Sequence, residues 1–175
     1  MKIQACKPYF SEHITGAMAY THILSGVIHP QRDAPLSEQA LAQFKDAAGS
    51  TKKGISVSMC FAGSSGTGKI LLLANLCYAC QLPAIFVEKA FFDAVEKSRV
   101  SALFTFAEKQ KAILFFDEAD ALLMGNTSYA DEDTVDPDFI FKLVQQRQGA
   151  SIFTISTSEA LERCKMRLKY VVETN

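Results

Sequence analysis

Short apolar runs bounded by turn-forming residues recur along this chain. Ile55–Ala62, Ala84–Val87, Ile113–Phe116 and Ile152–Ser156 carry mostly apolar side chains, and Tyr170–Glu173 is a fifth candidate. Runs this short, without a clear alternation of polar positions, predict parallel strands covered on both faces. Longer segments with helical periodicity lie between them. Leu36–Ala48 predicts an amphipathic helix, with Ser37 as its N-cap and Gly49 just past its end. Gly49–Gly54 then reads as a small polar linker. Lys69–Gln81 predicts an apolar helix, and Phe91–Glu108 and Pro137–Gln148 predict crossover helices, the latter with proline in its first turn. Strands alternating with helices make a layered α/β fold.

Length and composition bound this picture without changing it. The chain has 175 residues, one domain by size, and is 49% hydrophobic and 21% charged, enough to bury a core. Residues 1–50 carry no motif and are expected to form an N-terminal helical extension, with the core at 51–175. A formal net charge of −1 gives no basic signature for nucleic acid or a membrane surface. No apolar run approaches the roughly 18 residues of a membrane span. The start, Met1–Cys6, lacks a secretory hydrophobic region, and five cysteines is an odd number; both lead to the expectation of a reducing, cytoplasmic setting.

The chemistry concentrates between two strands. Gly63-Ser64-Ser65-Gly66-Thr67-Gly68-Lys69-Ile70 follows G-x-x-x-x-G-K-[ST], the phosphate-binding P-loop, at every fixed position but the last. Glycines allow the tight turn, and successive N–H groups at a helix N-terminus form an anion nest. Lys69 would reach the β- and γ-phosphates. A strand before and a helix after are the context the motif requires. At the last position Ile70 replaces a hydroxyl that normally ligates magnesium. The backbone cradle survives this change, while the metal's contribution to hydrolysis is expected to suffer.

Ile113-Leu114-Phe115-Phe116-Asp117-Glu118-Ala119-Asp120 is an apolar run ending in carboxylates, as in a Walker B strand. Asp117 would hold magnesium, commonly through its water, and Glu118 would orient the attacking water. The tetrapeptide Asp117–Asp120 also spells the signature of DEAD-box helicases. Its separation from Lys69 is too short for that class, RNA-contacting motifs are missing, and 175 residues leave no room for a second RecA-like domain.

With these motifs the chain resembles the large α/β subdomain of AAA+ ATPases over roughly residues 50–173. The likeness is greatest in "KGISVSMCFAGSSGTGK" and "ALFTFAEKQKAILFFDEADAL", and extends to "SIFTISTSEALERCKMRLKYVVE". It implies a P-loop NTPase three-layer sandwich with a parallel sheet of about five strands, binding ATP or ADP with magnesium. The sensor-1 position would be Ser158, or Thr157 with the register shifted by one; both also read as turn residues capping the next helix. The arginine finger would be Arg167, with Arg163 second, each also readable as a surface charge. The segment Phe91–Arg99 lacks the aromatic–glycine pore loop of unfoldases, which disfavours threading of polypeptide. Asn175 falls just past the fifth strand, so the family's helical lid is expected to be missing. The implied function is ATP binding with weak or partner-assisted hydrolysis. The alternatives are a non-hydrolysing, nucleotide-dependent protein-interaction module and a structural remnant, against which the intact Lys69, Asp117 and Glu118 argue. The expected partners are an adenine nucleotide and another protein, and the isolated chain is expected to be a monomer or weak dimer.

Three remaining features read as structural. Cys77 and Cys80 lie one turn apart in an apolar helix without further metal ligands. His13, His22 and His29 are scattered. The acids Asp131–Asp133, Asp136 and Asp138 fail the calcium-loop pattern and fit a solvated loop before a helix N-terminus.

Overall fold

The computed structural model describes residues 21–24, 36–87, 96–124 and 135–174. In chain order the elements are β1 (Thr21–Leu24), α1 (Glu38–Lys52), β2 (Val57–Ala62), α2 (Lys69–Cys80), β3 (Ala84–Val87), α3 (Lys97–Lys109), β4 (Ile113–Phe116), α4 (Asp120–Met124), α5 (Pro137–Gln146), β5 (Ala150–Ile155), α6 (Ser158–Cys164) and β6 (Tyr170–Glu173). A 3-10 turn, Lys165–Arg167, joins α6 to β6. One sheet has the strand order β1-β3-β4-β5-β2-β6. Its five strands from β3 to β6 are parallel, and β1 pairs antiparallel with β3 at one edge.

Successive side chains along each parallel strand enter opposite cores. Val57, Met59 and Phe61 pack with α1 and α2, together with Ile113, Phe115 and Ile152. Cys60, Ala62, Leu114, Phe116, Phe153 and Ile155 pack with α3, α5 and α6 on the other face. The Phe116 and Phe153 rings stack at 4.9 Å in one core, and Phe86 and Phe115 meet at 5.0 Å in the other. Two covered faces explain why these strands are apolar at nearly every position, and the result is the expected three-layer α/β sandwich.

The core strands fall where the apolar runs predict them, and the departures lie at helix ends and sheet edges. Helix α1 does not stop before Gly49; it runs through it to Lys52. The stop is Gly54, at φ +71°, where Ile55 N–H donates to Ser50 O and Gly54 N–H to Thr51 O. This is the paired-bond glycine termination of a helix. Buried Ala47 and Thr51 keep the last turns packed, which outweighs the roughly 1 kcal/mol that an internal glycine costs. The same helix covers the β6 edge. Val171 N–H donates to Gln43 Oε1 at 2.9 Å, and Tyr170 O–H to Asp46 Oδ2 at 2.6 Å, so part of the open strand is capped by side chains.

At the amino ends of the central strands, Arg147 is 4% exposed. Its guanidinium donates to Ala112 O at 2.6 Å, Ala150 O at 3.0 Å and Ser151 Oγ at 3.3 Å, tying the start of β4 to the start of β5. Burial draws this guanidinium down to about 10, opposed by the charge of Glu108. Cys77 and Cys80 are buried, and burial pushes the Cys77 thiol up to about 12 and raises Cys80 as well. Both remain protonated and pack as small apolar groups. The acids Asp131–Asp133, the histidines His13 and His29, and the start of the helix expected from Phe91 lie outside the described residues.

Candidate functional site

The parallel register brings the carboxyl ends of β2, β4 and β5 to one rim of the sheet. Ala62 pairs with Ile155, and Phe116 with Phe153. The residues that follow these strands therefore emerge side by side, the place where open parallel sheets bind ligands.

The Gly63–Ile70 loop leaves β2 with Gly63 N–H donating to Ile155 O at 3.0 Å. Gly66 and Gly68 take φ of +82° and +88°, and Gly68 is the N-cap from which α2 starts. Helices α1, α5 and α6 each begin on a side-chain acceptor, from Ser37, Asp136 and Thr157. Helix α2 has no side-chain cap and no acid in its first turn. Its first N–H groups and the positive end of its dipole thus open into a glycine-rich loop. Lys69 folds across that loop: its ammonium donates to Gly63 O at 2.6 Å and Ser64 O at 2.8 Å. Thr67 O–H also donates to Ser64 O at 2.8 Å. Ile70 is the second residue of α2 and is 37% exposed, placing apolar carbon at the helix start.

The acidic turn after β4 is fixed by its neighbours. Asp117 N–H donates to Val87 O at 3.1 Å. Its carboxylate accepts from the buried Thr154 O–H at 2.7 Å, and that same hydroxyl accepts from Glu118 N–H at 2.8 Å. Ala119 N–H then donates to Thr154 O at 2.9 Å. These bonds sustain a left-handed, exposed Glu118 at φ +49°, a strained backbone of the kind found at functional turns. Asp120 turns toward the β5–α6 loop and accepts from Ser156 N–H, Thr157 N–H and Thr157 O–H, at 2.7 to 3.1 Å. Thr157 also caps α6, while Ser158 is that helix's first residue. Residues 62–64, 156–158 and 173–174 line a cleft of about 300 Å3, which brings Ser158 to the mouth of the loop.

The arginines are engaged elsewhere. Arg167 pairs with Asp138 of α5 at 2.5 Å and lies over the Phe141 ring at 5.1 Å. Arg163 donates to Met124 O at 3.0 Å. Reading by motif passed over Thr154 and Thr174. A hydroxyl in the otherwise apolar Ile152–Ile155 run was a signal for Thr154, whereas nothing in the local pattern marks Thr174.

Direct ligation of magnesium does not fit this donor set. Ile70 has no lone pair, and the Thr67 hydroxyl is committed to Ser64 O and to Thr174. Among the described residues no group of three His, Cys, Asp or Glu side chains could hold a metal ion.

The sheet order, the loop and the acidic turn define a P-loop α/β domain. The model of the ATPase family associated with various cellular activities (AAA) matches residues 59–169, and the chain belongs to that family. Among solved structures, the FIGL-1 AAA domain in complex with ADP matches with a TM-score of 0.70 at 16% identity, over 95% of this chain and 62% of that one. A structure reporting the basis of katanin self-assembly matches with a TM-score of 0.67 at 15% identity, over 96% of this chain and 61% of that one. The chain thus spans about three-fifths of their lengths. No curated protein matches it.

Proposed function

We propose that this AAA domain binds ATP or ADP at Gly63–Ile70 and hydrolyses ATP slowly or only with a partner's help. The observation that carries the reading is the uncapped α2 N-terminus rising from a glycine loop that Lys69 spans. In this reading Lys69 would neutralise the β- and γ-phosphates, Glu118 would orient the attacking water, Asp117 would be the residue to hold a magnesium ion through its water, and Ser158 would reach toward the terminal phosphate. The ADP in the FIGL-1 structure supports an adenine nucleotide. Titration calorimetry of the purified chain with ATP and with ADP tests it: binding is expected for the wild type and for a Cys77→Ser control. A wild type silent at millimolar nucleotide overturns it.

Ile70 favours a second reading, a module that binds nucleotide without turning it over. Chelating magnesium should then change nucleotide affinity little, and basal phosphate release should lie near background. Ile70→Thr restores the missing ligand. It should raise magnesium-dependent turnover by about tenfold or more if Asp117 and Glu118 are competent, since a bound metal supplies several kcal/mol at the transition state. Robust magnesium-dependent turnover in the unmodified chain would show that the isoleucine is tolerated.

Assembly follows from Arg167. A finger acts on a neighbour's nucleotide, but here the guanidinium is held by its own chain's Asp138. The isolated chain should be a monomer or weak dimer, and Arg167→Ala should leave basal turnover unchanged. Light scattering with ATP at high protein concentration checks this. A stable hexamer would refute it and make Arg167 a candidate for catalysis.

A further inference from the structure

We propose that Thr174, at the end of β6, is a positioning residue for the phosphate loop, acting through a relay of two hydroxyls. The proposal rests on nucleotide binding at that loop. Thr174 is 7% exposed. Its backbone already completes the strand, because Thr174 N–H donates to Ala62 O at 2.7 Å. The side chain is therefore surplus to sheet pairing, and it turns to the loop instead. Its hydroxyl lies 2.6 Å from the Thr67 hydroxyl and 3.1 Å from Ala62 O.

Two protons serve three contacts. Thr67 O–H can donate to Ser64 O at 2.8 Å and Thr174 O–H to Ala62 O at 3.1 Å, and across the 2.6 Å between the two hydroxyls either one can be the donor. Ser64 O also takes the Lys69 ammonium at 2.8 Å. The chain Thr174 to Thr67 to Ser64 O thus fixes the carbonyl against which Lys69 is held. It ties the middle of the loop to a strand on the far side of β2. Gly63 belongs to the same contact: a Cβ there would sit 2.5 Å from Thr174 O, and closer still to its hydroxyl. Ordering the loop before nucleotide arrives lowers the entropy lost on binding.

The decisive comparison is Thr174→Val, which keeps the shape and deletes the hydroxyl, against Thr174→Ser, which keeps the hydroxyl. Two readouts are needed on the full chain: ADP affinity by calorimetry, and amide hydrogen exchange of Gly63–Thr67 without nucleotide. Loss of one buried hydrogen bond should weaken ADP binding by about fivefold to tenfold in Thr174→Val and speed loop exchange to a similar degree. Thr174→Ser should stay within about twofold of wild type on both. Thr67→Val should add little on top of Thr174→Val, because both cut one relay. A role confined to strand packing predicts wild-type affinity and loop exchange in Thr174→Val, and that result would overturn the proposal. So would a serine variant as weak as the valine one. If the wild type binds no ADP, the functional reading falls separately, and loop exchange by itself decides the relay.

Discussion

Lys69→Ala should lower ATP and ADP affinity by about a hundredfold while leaving the fold intact. Among the described residues the ammonium is the one side-chain cation hydrogen-bonded to the loop, held by Gly63 O at 2.6 Å and Ser64 O at 2.8 Å. Charge-assisted bonds to phosphate are roughly twice as strong as neutral ones. On the proposed reading its share of the phosphate charge would be larger than in a P-loop whose next residue ligates magnesium, because Ile70 contributes no oxygen. Gly63 O loses its donor where water can replace it, and Ser64 O keeps the Thr67 hydroxyl, so the stability change should stay below about 1 kcal/mol. Calorimetry for affinity and a thermal melt for stability separate the two effects. An affinity within fivefold of wild type would mean that nucleotide, if bound, is held elsewhere.

The second large effect is expected at Gly63, and here stability should fall together with binding. An added Cβ would lie 2.5 Å from Thr174 O and 3.2 Å from Thr67 Oγ1. The first is backbone of the residue just past β6, whose N–H donates to Ala62 O, so it cannot step aside as a flexible side chain would. Gly63 itself is fixed by Ile155 O, and its φ of +153° adds strain for any L side chain. Gly63→Ala should therefore cost about 2–3 kcal/mol, comparable to overpacking a core. In a domain of this size that lowers the melting temperature by roughly 5–10 °C. Nucleotide binding should be lost with it, since either the loop or the end of β6 must move. Gly66→Ala is the control. Its Cβ would enter open space, leaving only the penalty of φ +82°, about 1 kcal/mol. Equal melting temperatures for the two variants would show that the loop adapts and that the close approach to Thr174 carries no energy.

The sequence by itself determined the layered α/β architecture, the glycine-rich loop and the acidic turn, because each of these is written locally. Ala84–Val87, Ile113–Phe116 and Tyr170–Glu173 form strands over the residues the pattern marks, since a strand covered on both faces must be apolar nearly throughout. Glycines at turns and a lysine at a helix start declare themselves within eight residues. What only the tertiary structure decided is which distant groups hold those local pieces in place. Thr154 meets Asp117 across 37 positions, Thr67 meets Thr174 across 107, and Val171 meets Gln43 across 128. These partners are chosen by the strand order β4-β5-β2-β6, which no local pattern encodes. The pairing of β1 with β3 was hidden for the same reason, as an edge strand leaves a weak signal until its neighbour is known. Gly49 shows the converse. Its local preference for ending a helix is worth about 1 kcal/mol, and the burial of Ala47 and Thr51 on either side of it overrides that preference.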